Sequence, residues 1–130
     1  MFKEQKFVIK QTKKDRSELE FNEVVLEIPD ENDWFFIGAV IYKYQGVENK
    51  LRLLFTLYET SGGSYVCTKY TEKGIAVREG WLEAAVINTP SDLTTICGMT
   101  NAAKEFYTEL SRKYPYLAAG LLGQYMTVID

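Results

Sequence analysis

Apolar and polar positions alternate in short runs as far as Asn88, and beyond it apolar residues recur at helical spacing. The first run, Gln5–Gln11, centres on Phe7-Val8-Ile9. Polar, basic Thr12–Ser17 separates it from Leu19–Ile28, where Val24, Leu26 and Ile28 alternate with Glu23, Val25 and Glu27. A period of two puts the two sets on opposite faces of a strand. The two runs are expected to pair as an N-terminal hairpin. Pro29 to Asp33 ends the second, because proline lacks a ladder donor and Asp and Asn favour turns. Trp34–Gln45 follows. It is apolar on both faces from Trp34 to Ile41, the pattern of a central strand covered on both sides. It becomes half-polar through Tyr42-Lys43-Tyr44-Gln45, and Gly46–Lys50 reads as a polar turn.

The clearest local signal comes next. Leu51–Glu59 places Leu51, Leu53, Phe55 and Leu57 on one face and Arg52, Leu54, Thr56 and Tyr58 on the other. Thr60-Ser61-Gly62-Gly63 then supplies a tight turn into Ser64–Glu72. A two-residue loop would set Tyr58 opposite Cys67, and a three-residue loop would shift that partner by one. Lys73–Gly80 is a charged connection with a small apolar patch at Ile75 and Val77, and Trp81–Asn88 is the last strand.

Helices close the chain. Thr89 is suited to an N-cap, Pro90 to the first helical position and Asp92 to the third, where an acid meets the helix dipole favourably. This helix stops at Gly98. Thr100 caps a second, in which Ala103, Phe106, Tyr107 and Leu110 share one face while Lys104, Glu105, Thr108 and Glu109 point away. Pro115 ends it. Tyr116–Met126 is either a third helix weakened by Gly120 and Gly123 or gives way to a short strand at Met126–Ile129. Strands first and helices last predict an α+β fold. Its form is an antiparallel meander of five to six strands followed by two to three C-terminal helices packed on one face. All of residues 1–130 are expected to form a single domain.

Composition narrows the class. At 46% hydrophobic and 25% charged, the chain is ordinary for a globular protein. No apolar run is long enough for a membrane span, and Met1–Lys6 has no apolar core of a secretory signal. Cys67 and Cys97 stand 30 positions apart with no neighbour at metal-ligand spacing, and are expected to be reduced, buried thiols, with a disulfide between sheet and helix as the geometric alternative. The expected location is cytoplasmic. Charge is unevenly spread. Residues 1–16 carry six bases against two acids, and residues 17–35 carry seven acids and no base. The net charge of −3 argues against direct nucleic-acid binding.

The chemistry is mostly exclusion. The chain has no histidine, which removes Ser-His-Asp and Cys-His sites and histidine metal ligands together. Gly62-Gly63 lies between two strands and lacks the spacing of a phosphate loop. Asp30-Glu31-Asn32-Asp33 has calcium-friendly oxygens but not the spaced pattern of a calcium loop. No catalytic residue, metal ligand or cofactor is assigned.

Two features qualify as binding surfaces. One is the tyrosine set Tyr42, Tyr44, Tyr58, Tyr65 and Tyr70, since tyrosine is rigid, amphipathic and favoured at interfaces. The other is the acidic belt from Glu18 through Glu20, Glu23, Glu27 and Asp30 to Asp33, whose carboxylates can imitate a row of phosphates. The expected function is a non-catalytic protein-interaction domain with a protein partner. In size and charge pattern the chain is similar to anti-CRISPR and anti-restriction proteins, small phage or mobile-element inhibitors of host nucleic-acid enzymes. That likeness is one of class alone. The alternative is a small-molecule-binding or enzymatic domain with a Tyr/Trp-lined pocket between sheet and helices, using Glu83 or Arg78 as its polar group. A homo-oligomer built through an edge strand is a third role open to such a sheet.

Overall fold

A computed structural model describes residues 19–73 and 79–114. Five strands appear in them: β1 (Asn22–Leu26), β2 (Trp34–Glu48), β3 (Leu51–Thr60), β4 (Tyr65–Lys73) and β5 (Glu79–Ile87). They form one antiparallel sheet in the order β1-β2-β3-β4-β5, curved as a half-barrel. Two helices follow, α1 (Pro90–Cys97) and α2 (Asn101–Lys113). The fold is α+β, as the element order predicts. The Gln5–Gln11 run, the patch at Ile75 and Val77, and the segment from Tyr116 onward lie outside the described residues.

Turn chemistry sets the register. Ile28 to Glu31 forms a turn closed by the Glu31 amide on the Ile28 carbonyl at 3.2 Å. Pro29 sits at its second position and Asp30 at its third with φ 63°, the backbone pattern of a type II turn. The next turn is tighter than the sequence suggests. Gly46, Val47 and Glu48 belong to β2, and only Asn49 and Lys50 connect it to β3. Both have positive φ, 51° and 66°, as a two-residue type I′ hairpin demands. At the β3–β4 turn, Gly63 donates to the Thr60 carbonyl at 3.0 Å and has φ 87°. Thr60 and Ser64 close the strands around a three-residue loop, so Tyr58 faces Val66 and Cys67 faces Leu57.

One irregularity decides where the aromatic residues go. β2 pairs Val40 with Tyr58 and then Tyr42 with Leu57, leaving Ile41 as an extra residue. A bulge of this kind reverses the alternation along the strand. Before it, Trp34 and Phe36 share a face with Tyr58. After it, Tyr42 and Tyr44 are opposite Leu57 and Phe55 on the other face.

That second face carries the helices. Phe55, Leu57, Cys67, Leu93, Ala103, Phe106, Tyr107 and Leu110 are buried in one cluster there. Capping aligns the helices. The Asp92 carboxylate accepts from the backbone amides of Asn88 at 2.9 Å and Thr89 at 3.0 Å. The Thr100 hydroxyl accepts from the Ala103 amide at 3.3 Å, and Glu48 reaches from the end of β2 to the Ala102 amide at 3.4 Å. Gly46 lets α2 approach: a Cβ there would stand 3.2 Å from that of Ala102.

The opposite face holds a smaller cluster of Leu26, Ile28 and Val66, flanked by Val24, Trp34, Phe36, Tyr58, Leu82 and Ala84. The end of β1 therefore reaches the side chains of β5 at the far edge of the sheet. Coverage of β2 differs from expectation. Phe35 and Val40, within the stretch predicted to be covered on both sides, are 64% and 44% exposed. The start of β2 is paired with β1 alone, pairing with β3 begins at Gly38, and Phe35 stands open to solvent.

Candidate functional site

The tyrosines do not share a surface. Tyr42 and Tyr44 lie on the helix face, where both rings pack on Phe106 with centroids 6.1 and 6.0 Å away. The Tyr42 hydroxyl donates to Glu109 at 2.7 Å, and the Tyr44 hydroxyl donates to Glu105. Burial, then these carboxylates, push both phenols up to about 12. The Lys113 ammonium stands 5.4 Å from the Tyr42 ring centre, a cation–π contact. Tyr65 is buried on the same face. Tyr58 is on the opposite face, edge-on to Phe36 at 5.4 Å, and its burial raises its pKa. Tyr70 is also there. Its ring lies across the backbone of Gly80, where a Cβ would fall 1.8 Å from the hydroxyl oxygen. Tyr42 and Tyr44 thus join sheet to helix, while Tyr58 and Tyr70 lie on the face away from the helices.

The side chains named for a pocket between sheet and helices are likewise separated. Trp34 is on the face away from the helices, Glu83 is exposed on β5, and Arg78 lies outside the described residues. The interval itself is occupied by Phe55, Phe106, Tyr107 and Leu110, all at 0% exposure.

The acidic residues line one edge of the described chain, along β1 and its turn. Glu20, Glu23, Glu27, Asp30, Glu31 and Asp33 are all exposed along β1 and its turn, and Glu18 lies outside the described residues. Glu23 and Glu27 have the parity of Val25. All three therefore belong to the face on which Val25 is paired directly with Phe35, and Glu23 with Ile37. Val25 is 60% and Phe35 64% exposed. An apolar cross-strand pair is thus flanked by carboxylates. The sequence shows the acids but not the pair: Val25 falls on the mixed face with Glu23 and Glu27, Phe35 falls in a stretch expected to be covered on both sides, and only the register sets them opposite each other.

Beside this pair, an open groove of about 560 Å³ runs between the start of β2 and the β3–β4 turn. Trp34, Phe36, Val66 and Val86 line it with the polar Ser61 and Ser64. A second groove, about 440 Å³, lies between the Ile28–Glu31 turn and the Trp81–Ala84 stretch of β5. Asp30 and Glu31 of the acidic turn line the second groove. Among the described residues no group of three or more Cys, Asp or Glu side chains is placed to hold a metal ion. No described helix is long and apolar enough to cross a membrane.

Compared with protein-family models, with curated proteins and with solved structures, the chain finds no match.

Proposed function

We propose that this protein is a non-catalytic interaction domain that engages a partner protein through the Val25–Phe35 pair and its acidic flank. The observation that carries this reading is the exposure of two large apolar side chains, directly paired across β1 and β2, within the belt of seven acids and no base. Exposed apolar patches with polar rims mark interaction sites. Charge complementarity sets the partner's chemistry: a basic surface with an apolar spot at its centre. The narrower form of the proposal is a phage or mobile-element inhibitor seated in the basic groove of a host nucleic-acid enzyme. In that setting Glu23 and Glu27 meet cationic side chains, and Val25 and Phe35 supply contact area that a phosphate row lacks.

The test is capture from the native host followed by binding kinetics on the captured protein. Phe35→Ala should raise the off-rate, since it removes central apolar contact. Glu23→Lys with Glu27→Lys should lower the on-rate, and added salt should weaken association through the same long-range attraction. A captured protein indifferent to all three changes defeats the proposal. Self-association through the short strand β1 is the competing outcome. A concentration-dependent dimer abolished by Phe35→Ala would replace the partner with a second copy of this chain.

A further inference from the structure

The two cysteines, far apart in sequence, are in contact. Cys67 on β4 and Cys97 at the last turn of α1 have their sulfurs 3.6 Å apart. Both are free and buried, at 0% and 1% exposure. Cys67 is held by pairing on both sides, to Leu57 of β3 and Ala85 of β5. Cys97 sits where α1 ends, beside Gly98, whose carbonyl accepts from the Tyr107 hydroxyl. Reaching the ~2.05 Å of a disulfide needs each sulfur to move by less than about 1 Å.

We propose that Cys67 and Cys97 are an oxidisable dithiol whose disulfide locks helix α1 onto the sheet. The oxidant class is a peroxide small enough to reach a buried site. Helix ends fray more readily than strands paired on both edges. Cys97 is therefore attacked first. Its thiol takes one oxygen from hydrogen peroxide, giving a sulfenic acid and one water. The sulfur of Cys67 then displaces the hydroxyl group from Cys97. The S–S bond forms, the S–O bond breaks, and the Cys67 proton leaves with that hydroxyl as a second water. The pair has lost two electrons and two protons, and the peroxide has taken them up. Neighbouring Cys97 and burial together raise the Cys67 pKa well above its ordinary value, so the thiol form dominates and oxidation by peroxide is slow.

Intact-mass measurement on the full chain, before and after treatment with dilute hydrogen peroxide, tests this. The expected product is lighter by ~2 Da, resists alkylation after unfolding, returns to starting mass with dithiothreitol, and yields a Cys67–Cys97 linked peptide. Closing a loop of this length should raise Tm by roughly 10 °C, and reductant should reverse the gain. Thiols that remain fully alkylatable, sulfinic acid at either cysteine, or cross-linked dimers would each overturn the proposal. Cys97→Ser provides the control. It should lose the ~2 Da shift and the Tm gain together, and retention of either would refute the pairing.

Discussion

Two phenylalanines offer the same deletion in opposite surroundings. Phe106 is fully buried in α2, stacked on Phe55 at 5.1 Å and ringed by Tyr42, Tyr44 and Tyr107. Truncating such a residue to alanine removes its transfer free energy and leaves a cavity, together costing about 3–5 kcal/mol. Its neighbours are held by strands and cannot collapse far, so the upper half of that range applies, about 4 kcal/mol. Unfolding entropy near 2.1 cal/mol/K per residue gives roughly 0.27 kcal/mol/K for a chain of this length, and hence a Tm lowered by about 15 °C. Phe35 is 64% exposed. Phe35→Ala loses the cross-strand contact with Val25, worth roughly 0.2–1 kcal/mol, and Tm should move by less than about 4 °C. Circular dichroism in heat and in urea measures both variants, and an unchanged urea slope confirms that the same unfolding is compared. A Phe106→Ala cost below about 1 kcal/mol, or equal costs for the two variants, would refute the assignment of faces.

Gly63→Val should destabilise by about 1–2 kcal/mol, because φ 87° is strained for a β-branched residue. Gly62→Ala should be tolerated, since its Cβ would meet nothing closer than the Thr60 hydroxyl at 3.9 Å; the two Tm values, read side by side, check the three-residue loop. Lys50→Gly should stabilise by roughly 0.5–1 kcal/mol, as it relieves a positive φ in the type I′ turn, and a lowered urea midpoint would contradict that turn. Tyr42 and Tyr44 should ionise near pH 12 in an absorbance titration. Their folded pKa lies above the ordinary value of about 10, so the stability they contribute is complete below pH 10 and is lost as pH rises through about 12. Titration of every tyrosine near pH 10 would remove their helix-face burial.

Most of the architecture was legible because local chemistry and periodicity agree. Thr89, Pro90 and Asp92 announce the start of α1, and Asp92 does take the two amides expected of it. Phe106 and Leu110 fall on the buried side of α2, and Lys104, Glu105, Thr108 and Glu109 on the exposed side. The Gly-Gly pair marked the β3–β4 turn but left two registers open, since either loop length satisfies it. The amide of Gly63 bonding to the Thr60 carbonyl selects the longer one. Two features were not legible. Asn49-Lys50 lacks the glycine that usually signals a two-residue hairpin, so β2 was read three residues short. The bulge at Ile41 sits in an unbroken apolar stretch, where the insertion of one residue leaves no mark on the pattern.

That bulge also divides the tyrosines between two faces of the sheet while leaving the strand that carries Glu23 and Val25 in register. A grouping by residue type along β2 assumes one alternation from Trp34 to Glu48. With Ile41 inserted, Tyr42 and Tyr44 turn toward α2 and into partnership with Glu109 and Glu105, away from Tyr58. Without the bulge they would share the Tyr58 face, and α2 would lose two of the rings beside Phe106. The belt escapes this reversal because it precedes the irregularity. β1 pairs in unbroken register with the first five residues of β2, so Glu23 and Val25 keep the parity read from the sequence. The same unbroken register sets Phe35 against Val25. Two strand segments on the near side of a bulge thus present apolar contact and charge together. The juxtaposition of Val25 and Phe35 follows from pairing geometry, which no single strand's composition reveals.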